Sequence, residues 1–294
     1  MYELIPLGPR TYVIDCPSRM GLYRLDDTAV CLIDSGNDKD AGKRALRHIE
    51  AAGWTLRAIV HTHAHADHIG GSALLQQRTG CAVFAPDIEA ALARWPLTEP
   101  SLLYGGCPPA ALRHKFLLAA ASNARDIDAP DFPTALTCVP LPGHSPAMQA
   151  VGTPDGVWFV GDCVTSPAIL EKYSVTYVYD VAAYFASLDR AACLEGNWFV
   201  PAHAAPVKDL APLIAANRAA VQRVLDTLYA LCDEPQGFDA LLAALCSALG
   251  LTLDVTQHAL VGSTVRSCLT YLTDTGRLRL TCDENQLTWR KEPL

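Results

Sequence analysis

The segment Leu56-Arg57-Ala58-Ile59-Val60 leads, after His61-Thr62, into His63-Ala64-His65-Ala66-Asp67-His68. Three imidazoles and a carboxylate within six positions are metal ligands at a density a packed core does not need. Four of the nine histidines of the chain fall between His61 and His68. Imidazole and carboxylate are donors that zinc and iron accept. The spacing says what kind of site this is. On a helix, side chains three or four apart share a face, so His63 and His65 would point nearly opposite ways. In an extended segment alternate side chains share a face, so His63, His65 and Asp67 converge while His68 points elsewhere. The reading places the motif on a loop after a strand, able to feed two metals, and the helical HExxH zinc pattern is absent.

Other apolar, strand-like runs end the same way. Leu136-Thr137-Cys138-Val139 passes through Pro140-Leu141-Pro142-Gly143 to His144. Val157-Trp158-Phe159-Val160-Gly161 stops at Asp162, and Trp198-Phe199-Val200-Pro201-Ala202 at His203. Singly, an Asp after a strand is an ordinary turn residue or helix cap. Together these residues lie where open α/β folds carry their ligands, past the carboxyl ends of strands.

The set His63-Ala64-His65-Ala66-Asp67-His68, Pro142-Gly143-His144-Ser145, Gly161-Asp162 and the late His203 resembles the metallo-β-lactamase superfamily over about residues 1–207. Asp34-Ser35-Gly36, after an apolar strand, resembles that superfamily's early turn. The resemblance implies an αββα sandwich with the site at one edge of two sheets. It implies one metal on His63, His65 and His144, a second on Asp67, His68 and His203, and Asp162 bridging them. Asp67 resembles the hydrolase branches: glyoxalase II-like thioesterases, lactonases and related nucleases. No cysteine occurs in these motifs, unlike the β-lactamases with a cysteine ligand. One departure stands out: glyoxalase II-like members often continue with Gly-His where Ala147-Met148 follows Ser145-Pro146 here.

At 294 residues the chain is long enough for one large domain and a small one, and half of it is hydrophobic. A net charge of −8 disfavours polyanions, and no cluster of Lys and Arg offsets it. The eleven cysteines form no CxxC pair and sit mostly in apolar runs, as buried thiols of a reducing compartment do. Cys163 reads as one of these despite adjoining Asp162. Met1-Tyr2-Glu3-Leu4-Ile5-Pro6 lacks a basic, then apolar, leader pattern. The uncharged stretch 132–154 contains five prolines, which excludes a membrane helix. Cytoplasmic location is the expectation.

Residues 38–52 have helical spacing, with Ala41, Ala45, Leu46 and Ile49 on one face and Gly53 as a stop. A strand at Leu56–Val60, a helix at Ser72–Thr79 closed by Gly80, and a strand at Cys81–Ala85 follow. This alternation predicts an α/β fold. Residues 95–133, rich in proline, break the rhythm. They could form a lid or substrate wall or a plain structural insertion, with a short helix through Leu112, Phe116, Leu117 and Ala120. Tyr173, Tyr177 and Tyr179 could line a pocket but read first as packing. His61 reads as a structural neighbour of the cluster, and His48, His114 and His258 as unrelated to it.

Residues 208–294 read as a second, small domain: helices at Asp209–Cys232, Phe238–Leu249 and Val255–Thr273, then a hairpin of Leu278–Thr281 and Gln286–Trp289 about Asp283-Glu284-Asn285. Three helices and a hairpin resemble a winged-helix domain. Counted from 207, this region holds eight basic and ten acidic side chains, which argues against nucleic acid and for packing or homodimerisation.

The expected chemistry is hydrolysis of a small-molecule ester, thioester or lactone by a hydroxide shared between two divalent metals, with Asp67 and Asp162 as the catalytic residues. Zinc fits the ligands best, with iron and manganese open. No Gly-x-Ser-x-Gly nucleophile motif is present. Two alternatives stand beside it: an RNA-cleaving nuclease at the same site, and an oxygenase holding a single iron.

Overall fold

The computed structural model describes residues 2–292. Met1, Pro293 and Leu294, at the ends of the two expected domains, lie outside them.

Seven strands form the first sheet in chain order: β1 (Glu3–Pro6), β2 (Thr11–Asp15), β3 (Met20–Arg24), β4 (Ala29–Ile33), β5 (Thr55–Val60), β6 (Ala82–Ala85) and β7 (Ala124–Asp126). The first four pair antiparallel and β4 to β7 parallel. Parallel neighbours require crossovers. These are α1 (Lys39–Ala51) between β4 and β5, α2 (Ala66–Ile69) and α3 (Ser72–Thr79) before β6, and α4 (Asp87–Arg94) and α5 (Thr98–Tyr104) before β7. The second sheet has β8 (Thr137–Pro140), β9 (Gln149–Gly152), β10 (Val157–Gly161) and β11 (Trp198–Pro201), in the order β11-β10-β9-β8.

Side-chain alternation along the strands sorts the core into layers. In β4, Val30 and Leu32 pack outward with Ala45, Leu46 and Ile49 of α1, while Cys31 and Ile33 point inward. There they meet Val151, Val157, Phe159 and Val200 of the second sheet. The outer face of that sheet, with Met148, Ala150 and Val160, is covered by helices: α6 (Pro167–Tyr173), α7 (Val181–Ala192), α8 (Ala211–Ala230), α9 (Phe238–Leu249) and α10 (Val255–Asp274). The result is the expected four-layer αββα arrangement.

After Pro206 the expected three helices are present, followed by β13 (Leu278–Asp283) and β14 (Gln286–Lys291) turning at Glu284-Asn285. A short strand, β12 (Gln236–Gly237), adds to β14. Val224, Leu225 and Leu228 of α8 and Val265 and Leu269 of α10 belong to one buried cluster with Leu141, Val160 and Leu188. The apolar core therefore runs without interruption across residue 207. Among the described residues no helix is long and apolar enough to cross a membrane.

The insertion differs from expectation. Its helix is α5, at Thr98–Tyr104, and the predicted helix through Leu112–Ala120 is only a 3-10 turn at Ala110–Leu112 and a turn closed on the His114 carbonyl. Arg113, at φ −100° and ψ 57°, leaves the helical region and ends the turn there. Beyond it, β7 extends the first sheet, so part of the insertion is structural.

Candidate metal centre

All seven predicted donors meet at one end of the sandwich, at the carboxyl ends of β5, β10 and β11 and on the loop between β8 and β9. They form overlapping groups: His63, His65 and His144; His63, His68 and Asp162; and Asp67, His68 and His203, with ligand atoms in each within 4.8 Å of one another. The six-residue motif departs from a wholly extended reading. It is extended through His65 and then takes one helical turn, α2, whose start is held by the Glu99 carboxylate accepting from the Ala66 N–H at 2.9 Å. The turn brings His68 into the site beside Asp67, so His68 does not point away as strict alternation would have it.

Buried partners fix which ring nitrogen faces the centre. Carbonyl oxygens only accept, so His144 Nδ1–H donates to Tyr177 and His203 Nδ1–H to Pro17, both at 3.0 Å, and each Nε2 is turned inward. His68 Nδ1–H donates to Asp34 Oδ2 at 2.9 Å. Thr62 Oγ1 donates to the same oxygen at 2.8 Å and accepts from His63 Nδ1–H at 3.1 Å. Asp34, at the early turn with φ of 59°, also takes the Thr62 N–H. Such second partners hold metal-binding histidines in one tautomer and orientation. Ser18 Oγ donates to Asp67 Oδ2 at 2.7 Å.

Two glycines make the approach geometry attainable. Gly143 has φ of 125°, and a Cβ there would sit 2.2 Å from the Tyr184 amide nitrogen. Gly161, before Asp162, has φ of 53° and would press a Cβ on Thr62. Both conformations favour glycine. Farther along, buried Asn217 of α8 accepts from the Thr165 N–H and donates to the Thr165 carbonyl, clamping the loop that follows Asp162.

The donor atoms themselves lack ordinary partners. His63 Nε2 and His144 Nε2 each lie 3.0 Å from His65 Nδ1, yet the other nitrogen of His63 and of His144 already carries the ring proton. Lone pairs thus crowd together without enough hydrogens between them. His68 Nε2 and Asp162 Oδ1 are buried without a hydrogen-bond partner among the described residues. Burial, with neighbouring His68 and His65, holds His63 well below the usual histidine range, and burial with His144 pushes His65 down to about 3. Burial also opposes charge on His68 and His203. It is outweighed by Asp67, Asp162 and Asp34 at His68, and by Asp162 and Asp67 at His203, so both are raised. Asp162 stands between the two ends, with Oδ2 3.4 Å from both His144 Nε2 and His203 Nε2, and Oδ1 3.4 Å from His68 Nε2. Crowded lone pairs, orphaned buried donors and carboxylates between imidazoles fit divalent cations.

Other residues fall where sequence reading did not put them. Glu89 is buried behind the motif and accepts from Ala64 N, Ala147 N and Ser145 Oγ, tying the first donor loop to the His144 loop. Glu99 lines the cavity above the site, and burial with nearby Asp67 raises its carboxyl well above the usual range. His114, expected to be unrelated, lines the same cavity and hydrogen-bonds Thr256. Tyr173 and Tyr177 line it too, and Tyr179 does not. His61 bridges Asp34 and Ser72 as a structural neighbour, and Cys163 is buried with its thiol pushed up to about 12.

A four-layer sandwich carrying histidines and aspartates at its strand ends defines a class of metal-binding α/β folds. The chain belongs to the metallo-beta-lactamase superfamily, which it matches over residues 13–203. Among solved structures it is similar to a metallo-beta-lactamase family protein from Thermus thermophilus (21% identity, TM-score 0.72, covering 98% of this chain and 100% of that one). It is also similar to a beta-lactamase domain protein from Burkholderia ambifaria (19% identity, TM-score 0.69, covering 99% and 94%). Curated relatives include hydroxyacylglutathione hydrolases of Bradyrhizobium sp. (strain ORS 278), 44% identical over 82 residues, and of Pseudomonas entomophila (strain L48), 38% identical over 76 residues. The matches cover 28% and 25% of this chain, and it spans about a third of the relatives' own length, 32% and 28%.

Proposed function

We propose that the protein is a hydrolase of small-molecule esters, thioesters or lactones that works with two divalent cations, zinc foremost. His63, His65 and His144 would hold one cation and Asp67, His68 and His203 the other, with Asp162 shared. The observation that carries this reading is the Asp162 carboxylate, whose Oδ2 is equidistant from His144 and His203. When bound, such a pair lowers the pKa of water toward about 7 and polarises a substrate carbonyl. The protein's own part is to orient. Asp162 Oδ1, without a hydrogen-bond partner among the described residues, would accept a hydrogen bond from the attacking water and orient it. Neutral, buried His63 and His65 keep their lone pairs available. Hydroxyacylglutathione hydrolases among the relatives support a thioester as substrate.

In this reading residues 1–207 carry every donor, and residues 208–294 complete the cavity wall through α10. The acidic surface fits a small-molecule substrate better than nucleic acid. Eleven cysteines, none of them paired, fit the cytoplasm.

The test is to measure bound metal in the purified protein. The zinc-, iron- and manganese-loaded forms are then assayed against thioesters, lactones, simple esters and phosphodiesters. Thioester, ester or lactone turnover is expected, with Asp162→Ala losing at least about 10³-fold while circular dichroism stays unchanged. Turnover of RNA alone would overturn the proposal.

A further inference from the structure

Above the donors lies a cavity of about 750 Å³, a size that encloses a whole small molecule. Its floor is polar, and above the floor an apolar strip runs between polar side chains such as Thr176, Thr256 and Gln257. The walls come from three segments outside the two sheets: Leu103 and Leu117 from the insertion, Ile169 and Val175 after Asp162, and Leu260 from α10. Tyr177 stands edge-on to His65 and His144, with centroids 5.4 and 5.6 Å away, and closes the floor on one side.

The charges around this space are already engaged. Lys115 is the one lysine or arginine among the described lining residues, and its Nζ binds Asp38 Oδ2 at 3.1 Å with the side chain largely in solvent. Glu99 holds the Ala66 amide, and Asp254 caps α10 by accepting from the Gln257 N–H. His114 Nε2 is taken by Thr256. A carboxylate or phosphate brought against the apolar strip of Leu103, Leu117, Ile169 and Leu260 would lose its water with no cation beside it, since Lys115 lies at the solvent-facing rim paired with Asp38, and that is unfavourable. Apolar groups gain from the same burial.

From this we infer that the acyl half of the substrate is uncharged and apolar, an aliphatic chain of about six to ten carbons or an arylalkyl group of similar bulk. It would lie against Leu103, Leu117, Ile169 and Leu260 with its carbonyl over Asp162. The inference rests on the hydrolase reading above and deepens it. Water adds to the carbonyl carbon, the C–S or C–O bond breaks, and the acyl group leaves as a carboxylic acid. The departing thiol or alcohol takes the second proton of that water. Such a substrate differs from hydroxyacylglutathione, whose acyl group is hydroxylated and whose carrier peptide is charged.

The full-length, metal-loaded protein should be assayed with acetyl, butanoyl, octanoyl and decanoyl thioesters of N-acetylcysteamine, a neutral thiol, and with a hydroxyacylglutathione. From acetyl to octanoyl, kcat/KM should rise about 100-fold, well under the limit of about fourfold per fully buried methylene. The glutathione thioester should be the poorer substrate. Leu260→Lys and, as a second variant should the first misfold, Ile169→Lys should each cut the octanoyl-to-acetyl ratio at least about tenfold, mainly through KM. Independently of turnover, octanamide titrated into the protein should bind with a negative heat-capacity change and acetamide should not bind. A flat acyl series, or preference for the glutathione thioester, overturns the substrate class and leaves the hydrolase intact. Absence of all ester, thioester and lactone turnover overturns the hydrolase instead. Failure of octanamide to bind overturns the apolar acyl site in either case.

Discussion

At the floor of the cavity, His63, His68, His144 and His203 each turn one nitrogen inward because the other is bound to a protein oxygen. The roof is held differently. The insertion meets α10 through the His114–Thr256 hydrogen bond and a small cluster of Leu112, Leu117 and Ala259. Its neighbour Phe116 is 59% exposed. The floor is thus over-determined by buried polar partners, while the roof rests on a few contacts between segments far apart in sequence. Under the proposed hydrolase reading, a site built this way would fix where a carbonyl reacts and let the shape above it vary.

The contrast predicts large damage from changes at the floor and small damage from changes at the roof. The severest case outside the donors themselves is Asp34→Ala. It strands the Thr62 N–H, the Thr62 hydroxyl and the His68 ring N–H in a buried place. We expect a loss of about 3–5 kcal/mol in denaturant unfolding. Metal affinity, measured by competition with a chelator, should weaken about 10- to 100-fold. Retention of both would mean that the floor is not held as described. Next is Gly143→Ala, which forces a side chain into the left-handed region and onto the backbone of α7. Destabilisation of about 2–4 kcal/mol is expected, with metal stoichiometry falling as His144 is displaced. The mildest is His114→Ala. It removes one half-buried hydrogen bond, so unfolding should shift by about 0.5–1.5 kcal/mol. Metal content should stay whole while KM, not kcat, changes. A drop in bound metal in this variant would erase the distinction between floor and roof.

The same division explains what was legible in the sequence. Most donors could be read because they lie just past an apolar strand: the histidine cluster after Val60, Asp162 after Gly161 and His203 after Pro201-Ala202, while His144 stands on the Pro-Gly loop beyond β8. The α/β class could be read from the alternation of strand-like and helical runs, and the four layers came from the family resemblance. The helical turn at Ala66–Ile69 could not, because it depends on Glu99, which arrives from α5 through the insertion. Glu89 was hidden for a similar reason. In sequence it is an ordinary acidic residue in the first turn of α4, and only folding sets it against Ala64 and Ser145. His114 lacked any local pattern, since its partner Thr256 lies at the start of α10. Signals written into one segment survive translation into structure; those shared between distant segments need the fold itself.

Asn217 carries a last consequence. It sits on α8, yet it grips both the amide and the carbonyl of Thr165, three residues beyond Asp162. The late helices therefore act as a jaw on the loop that carries Asp162. A small shift of α8 would move Asp162 against the histidines while every side chain of the site stayed the same.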